Sequence, residues 1–317
     1  MMVGLKVVNT PVAIFVYNRP EHTSKLIDVL MQFQFKHLIF IADGPKNKTD
    51  NENCLRVRRL VERDWGCQVD FFTSEINLGC KERVVTGLDI VFEAHESAII
   101  LEDDCLPAQS FFEFCELMLS VYKNDRRILM ACGTVLVEPA ENPYNHFYSQ
   151  LPHIWGWATW RDRWQKYSKN ITMYDQFYAL NKLSGFYPEP FAWSLCDKLQ
   201  KISSGELDTW DAQMTYLAVS QNLLSVFPNR NLIKNIGFDR AATHTQDPSV
   251  LGELSLGAFE DDGRKPELIL PMRCLDLERM LIEGHAGRKW LRLAKVLSRK
   301  NGLMQILSKL LKRAYKK

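Results

Sequence analysis

Three consecutive carboxylates, Glu102-Asp103-Asp104, follow the apolar run Ile99-Ile100-Leu101 and precede Cys105-Leu106-Pro107. Adjacent acids at such a point suit a hard divalent cation: one or two of them hold it while phosphate and water oxygens complete its shell. An acidic, solvated turn has the same composition. Arg19 closes the run from Val12 to Asn18, and a guanidinium there suits a diphosphate or a nucleotide, or is a plain surface charge. Asp43 follows Leu38-Ile39-Phe40-Ile41-Ala42, where it either accepts hydrogen bonds from a base or ribose or caps the turn at Gly44-Pro45. Lys81 and Arg83 follow the turn Asn77-Leu78-Gly79, and helix starts favour anions such as phosphate. Asp211, within Asp208-Thr209-Trp210-Asp211-Ala212, is a helix cap or, against a substrate hydroxyl, a general base. His244 is a structural histidine or a contact to metal or phosphate. Trp155, Trp157, Trp160 and Trp164 crowd ten residues; aromatic faces bind sugar rings or bases, and they also fill cores.

These residues need elements to position them. Val12–Val16, Leu38–Ala42 and Ala98–Leu101 read as strands buried on both faces of a parallel sheet. Pro20 opens a helix carrying Leu26, Val29, Leu30 and Phe33. Lys46–Asn53 reads as a loop, Leu55–Arg63 as a helix and Gln68–Phe72 as a third strand; a helix through Val84, Leu88 and Val91 then leads to Ala98. Ser110 and Glu113 form a capping box for a helix to about Tyr122, followed by strands at Ile128–Ala131 and Leu224–Phe227, with a helix from Asp208 through Leu217. This alternation predicts an α/β fold, a mixed and mostly parallel sheet flanked by helices. Arg19, Asp43, Asn77 and Glu102–Asp104 then share its carboxyl edge, where open α/β sheets bind ligands.

The 317 residues are 46% hydrophobic, ample for a core. Residues 285–317 hold eleven Lys or Arg and no acid, leaving 29 basic against 38 acidic residues before them. An acidic body excludes nucleic acid as its partner, and the tail stands apart. We expect a domain over 1–250, a linker over 251–284 and a basic amphipathic helical tail over 285–317. That tail suits an anionic membrane surface, a dimer contact or packing on the acidic body. Eight cysteines without C-x-x-C spacing read as reduced thiols, and no signal peptide or membrane-spanning run is recognised, so a cytoplasmic protein, peripheral to the membrane through its tail, is expected. GxGxxG, GxxxxGK[ST], HExxH and a serine nucleophile elbow do not occur.

Glu102-Asp103-Asp104, Pro107 and Phe111-Phe112-Glu113 together resemble the metal motif of GT-A glycosyltransferases, and among them the N-acetylglucosaminyltransferase I type and its bacterial, family 2-like relatives. The resemblance, over Pro11 to His244, implies a GT-A-like fold and transfer of a sugar, with inversion, from a nucleotide-diphosphate sugar to an acceptor hydroxyl. It implies Asp104 as ligand to Mn²⁺ or Mg²⁺, with His244 following Gly237 as a second. Glu102, Asp103, Arg19 and Asp43 become donor contacts, with Lys81 in place of the family's histidine and Trp157 in Trp155-Gly156-Trp157 matching its glycine-tryptophan stretch. Trp210-Asp211-Ala212 is similar to the catalytic Trp-Asp-Asp, which implies Asp211 as base, although the second acid is here Ala212. A UDP-sugar donor, a glycan or lipid-linked glycan acceptor and a role in bacterial surface polysaccharide synthesis are the expectations. A sugar-1-phosphate nucleotidyltransferase and a non-catalytic membrane-surface binding protein with a decayed site are the alternatives.

Overall fold

The structure, a computed structural model, describes residues 7–172, 189–238, 254–272 and 275. In chain order the elements are β1 (Val7–Val8), β2 (Val12–Val16), α1 (Pro20–Leu30), β3 (Gln34–Phe35), β4 (His37–Ala42), α2 (Lys48–Val61), β5 (Gln68–Thr73), α3 (Cys80–Ala94), β6 (Ser97–Glu102) and β7 (Cys105–Pro107). They continue as α4 (Phe111–Val121), β8 (Ile128–Cys132), β9 (His146–Ser149), β10 (Trp157–Trp160), α5 (Arg161–Trp164), α6 (Glu189–Ser203), α7 (Asp211–Ser220), β11 (Leu224–Pro228) and β12 (Ile233–Asn235).

Eight strands form the central sheet in the order β5-β4-β2-β6-β10-β8-β11-β9. β5, β4, β2 and β6 pair in parallel, as do β8 and β11, while β10 and β9 run antiparallel to their neighbours. The sheet is therefore mixed and mostly parallel, as its alternating pattern predicts. The chain adds β4 and β5 on one side of β2 and then crosses to place β6 on the other, so the strand order reverses at β2. A crevice at the carboxyl ends of the strands is the geometric result of such a reversal. Phe15 is registered opposite Glu102, which brings the chain after β2 alongside the acidic triplet.

Alternation within the strands divides the core between two faces. Ile14, Phe40, Leu101 and Trp160 pack with Leu26 of α1, Val57 of α2 and Phe112 of α4. Phe15, Ile41, Ile100 and Trp157 pack on the opposite face with Leu88 of α3 and Leu217 of α7. A third cluster, Leu151, Ile171, Leu195, Leu199, Ala212 and Val219, joins α6 and α7 into a wall beside the sheet.

Several expectations change here. The polar run at Lys46–Asn53 is largely helical: Asn47 accepts the Asp50 N–H at 3.0 Å, and α2 starts there. Polar residues on its solvent side conceal a helix whose buried stripe is Cys54, Val57 and Val61. Ser110 does not cap α4; its hydroxyl accepts the Phe259 N–H at 2.7 Å. The helix expected from Asp208 begins at Asp211. Residues 254–272, placed in the expected linker, lie on the body: Phe259 is buried against Phe114 at 5.1 Å, and the Asn145 and Met272 N–H groups reach Arg264 and Tyr148 carbonyls. The tail over 285–317 lies outside the described residues. Among them no helix is long and apolar enough to cross a membrane.

Candidate active-site cleft

A cleft of about 980 Å³ opens at the carboxyl edge of β4, β2 and β6. Its sheet side carries Tyr17, Arg19, Asp43, Asn77 and Glu102–Asp104; its far side carries Trp155, Lys198, Asp208, Asp211 and Phe238.

Arg19 stands at the N-cap of α1, and its Nη1 donates to Asp104 Oδ2 at 3.0 Å. The chain returning from β12 closes over the same acid: the Ile236 N–H binds the Asp104 carbonyl at 2.9 Å, and a Cβ on Gly237 would lie 2.2 Å from Asp104 Oδ2. A methyl there would have to displace the Asp104 carboxylate. Burial, and then the charge of Asp104, push Glu102 up to about 8 and Asp103 up to about 7, with Arg19 opposing both shifts. Three carboxylates crowd one turn of backbone, and Arg19 offsets their charge only in part.

Asp43 is 6% exposed, and its lone pairs are taken. Oδ1 accepts the Gly44 and Leu78 N–H groups at 2.8 and 2.9 Å, and Oδ2 accepts Asn77 Nδ2 and the Gly79 N–H at 2.9 and 3.1 Å. Four donors fill the capacity of a carboxylate, so Asp43 shapes the cleft floor instead of offering acceptors to a base or ribose. The start of α3 is filled in the same way. Asp208 accepts the Cys80 and Lys81 N–H groups at 2.8 and 3.1 Å, taking the place expected for phosphate. Lys81 does not line the cleft, while Arg83 lines it deep down and donates Nη2 to the Phe72 carbonyl.

Trp157 is not at the cleft. It is fully buried in β10 and stacked on Trp210 with centroids 5.6 Å apart. Of the four clustered tryptophans, Trp155 is the one that reaches the cleft, with Phe238 edge-on at 5.4 Å and His153 at 4.6 Å. Trp157–Trp160 is buried on both faces of the sheet, Trp160 toward one core face and Trp157 toward the other, whereas Trp155 precedes the strand. Asp211 opens α7 and faces the cleft, with Thr209 Oγ1 donating to its Oδ1 at 2.5 Å. Ala212 points into the third cluster with Leu151 and Leu195, where a second carboxylate would be desolvated. His244 lies outside the described residues.

The sequence reading missed Asp208 and also Asp50, which accepts the Tyr17 hydroxyl and Asn18 Nδ2, each at 2.8 Å, and so fixes the loop after β2. Burial, and then the Asp50 bond, raise the Tyr17 phenol. Neither acid follows an apolar strand, so no sequence pattern marked them.

No family model and no curated protein matches the chain. Solved structures of similar outline include the inositol-1-phosphate CTP transferase from T. maritima, with TM-score 0.39 and 10% identity over 79% of this chain and 98% of that one. A mannosyltransferase from Pyrobaculum calidifontis in complex with GDP-Man and Mn²⁺ has TM-score 0.37 and 10% identity over 67% and 68%. Glucosyl-3-phosphoglycerate synthase from Mycobacterium tuberculosis, in complex with Mn²⁺, UDP and phosphoglyceric acid, has TM-score 0.30 and 13% identity over 50% of this chain and 57% of that one. The chemistry proposed below rests on the cleft's own residues.

Proposed function

We propose that the protein is a metal-dependent, GT-A-like glycosyltransferase that moves a sugar from a nucleotide-diphosphate sugar, a UDP-sugar by preference, to an acceptor hydroxyl with inversion. One observation carries this reading: Asp104, paired with Arg19 where the strand order reverses, shares a cleft with Asp211, a carboxylate to which no backbone amide among the described residues donates. The first belongs to a diphosphate site and the second to proton transfer.

The donor set suits Mn²⁺ or Mg²⁺, because the triplet offers hard oxygens whose charge the single Arg19 guanidinium offsets only in part. Among the described residues no three His, Cys, Asp or Glu converge to hold an ion unaided. Asp104, with Glu102 beside it, would therefore hold an ion that shares its shell with diphosphate oxygens. When bound, such an ion supplies Lewis-acid neutralisation of the leaving diphosphate. Arg19 adds a fixed positive charge on the same side. Asp211 accepts the proton of the acceptor oxygen as the new glycosidic bond forms, and the Thr209 hydroxyl keeps its carboxylate turned in one direction. Trp155 and Phe238 offer aromatic faces for an acceptor sugar ring.

The acceptor is a glycan or lipid-linked glycan of bacterial surface polysaccharide synthesis, and the basic tail brings the cytoplasmic enzyme to an anionic membrane face. Ala212 is buried in the third cluster and also lines the cleft, so Asp211 stands there without a second carboxylate beside it in sequence. Calorimetric titration with UDP and GDP, each with and without Mn²⁺, tests the reading: one nucleotide is expected to bind tightly with metal and weakly without. No binding of either nucleotide would overturn it. Release of pyrophosphate instead of nucleoside diphosphate would assign a sugar-phosphate nucleotidyltransferase.

A further inference from the structure

We propose that Asp208 is a positioning residue that fixes the base Asp211 by fastening the Leu207–Trp210 loop to the first turn of α3; the catalytic part of this inference rests on the function proposed above. The first turn of α3 leaves backbone N–H groups without intrahelical partners. Asp208 takes those of Cys80 and Lys81, and Asp43 takes the N–H groups of Leu78 and Gly79 just before the helix, so two aspartates from distant parts of the chain share four successive amides. One comes from the sheet edge and the other from the segment that carries Asp211. Asp208 thus acts across the cleft as a cap for a helix that is not its own. A carboxylate in this place also gains from the helix dipole.

Gly79 makes the contact possible. Its φ is +82°, and a Cβ there would lie 2.4 Å from Asp208 Oδ2. From Asp208 the chain needs three residues to reach Asp211. Over that distance the Trp210 ring is stacked on Trp157, and Tyr167 donates its hydroxyl to the Trp210 carbonyl at 3.1 Å. These two contacts hold Trp210 from the core side, while Asp208 holds the loop from the cleft side. Thr209, between them, donates to Asp211. Loss of the Asp208 contacts therefore frees the side of the loop that bears the carboxylate and leaves its buried anchor in place. The division of labour between the two acids follows from their partners: Asp208 binds two amides, whereas Asp211 binds a hydroxyl and opens onto the cleft.

The test compares wild type, Asp208→Ala, Asp208→Asn, Asp211→Ala and the double variant Asp208→Ala/Asp211→Ala. Each is assayed with Mn²⁺ for nucleoside diphosphate release from UDP-glucose, UDP-galactose, UDP-N-acetylglucosamine and GDP-mannose. Amide hydrogen exchange is followed over residues 78–82 and 207–212. Asp208→Ala is expected to lower kcat roughly ten- to a hundredfold, the scale of a displaced catalytic group, with donor KM unchanged. It should also speed exchange at Cys80, Lys81 and the 207–212 segment. Asp208→Asn, which keeps one acceptor oxygen, should recover part of the loss. Because Asp208 acts through Asp211, the double variant should be no slower than Asp211→Ala alone. Additive losses, a loss confined to KM, or unaltered exchange at 207–212 would each overturn the proposal. If the wild type releases nucleoside diphosphate from none of these donors, the transferase reading fails by itself. The exchange data then decide the fastening: faster exchange upholds it and unaltered exchange overturns it.

Discussion

Asp43 and Asp104 stand at comparable places in the sequence, each a carboxylate after an apolar strand, and the fold uses them oppositely. Asp43 is closed by four donors from its own chain; Asp104 meets one guanidinium and stays on the cleft wall. Asp104→Ala should therefore abolish Mn²⁺-dependent nucleotide binding and turnover, read by calorimetry and product release, while leaving the melting temperature within a few degrees. Asp43→Ala should act in reverse, costing roughly 2–3 kcal/mol of stability because four donors lose a charged acceptor. A denaturation curve reports that. Gly237→Ala should displace the Asp104 carboxylate and weaken metal-dependent nucleotide binding, since its added methyl would occupy the space of Oδ2. What the sequence made legible at this scale was the edge on which the acids gather, because a strand end is readable from an apolar run. Which acid is consumed by amides was not legible, since those amides come from Leu78 and Gly79, more than thirty residues downstream.

Elements carry a second group of predictions. β10 was hidden because Trp157, Trp160 and Trp164 satisfy helical spacing, yet Trp157–Trp160 form a strand between β6 and β8. Trp157→Ala should cost about 3–5 kcal/mol, as expected for a large buried aromatic, and leave nucleotide affinity of the folded protein unchanged. A large affinity loss in folded protein would restore Trp157 to the cleft. The edge strand β9 holds a buried chain of polar groups: the Tyr122 hydroxyl meets His146 Nε2 and the Tyr148 hydroxyl, each at 2.6 Å, and His146 Nδ1 meets Asn145 at 2.5 Å. Burial, and then Lys265, lower His146 from its ordinary value to about 4. The unfolded chain binds this proton near pH 6.5 and the folded one only near 4, so the stability from neutral His146 is complete above about 6.5 and is lost as pH falls toward 4. Thermal melts between pH 7 and 4 should show a shallower decline in His146→Gln than in wild type.

At the scale of the whole molecule, the eight-stranded sheet, the cleft at its strand reversal and the two-faced core follow from the alternation of apolar runs and amphipathic helices. The α6–α7 wall does not, because its cluster joins Leu151 to residues some forty to seventy positions away. Residues 254–272 are equally illegible, being fastened by backbone bonds and Phe259 and not by a helix or a named strand of their own. Removal of residues 254–317 should lower the melting temperature by several degrees, since burial of a phenylalanine alone contributes about 2 kcal/mol. An unchanged melting temperature would make that segment a true linker.

Because Trp157–Trp160 enters the sheet between two strands that precede it in the chain, the order of synthesis and the order of assembly differ. β2, β4, β5 and β6, with Arg19 and the acidic triplet, leave the ribosome as a parallel block whose β6 edge is bare until β10 arrives some fifty residues later. During that interval the protein exposes an apolar strand edge, a template for pairing with other chains. Nascent chains ending before Trp157 should self-associate, and those reaching Trp160 should not. The same late strand delivers Trp157, the ring on which Trp210 stacks, so the base-bearing wall is set after the acidic triplet.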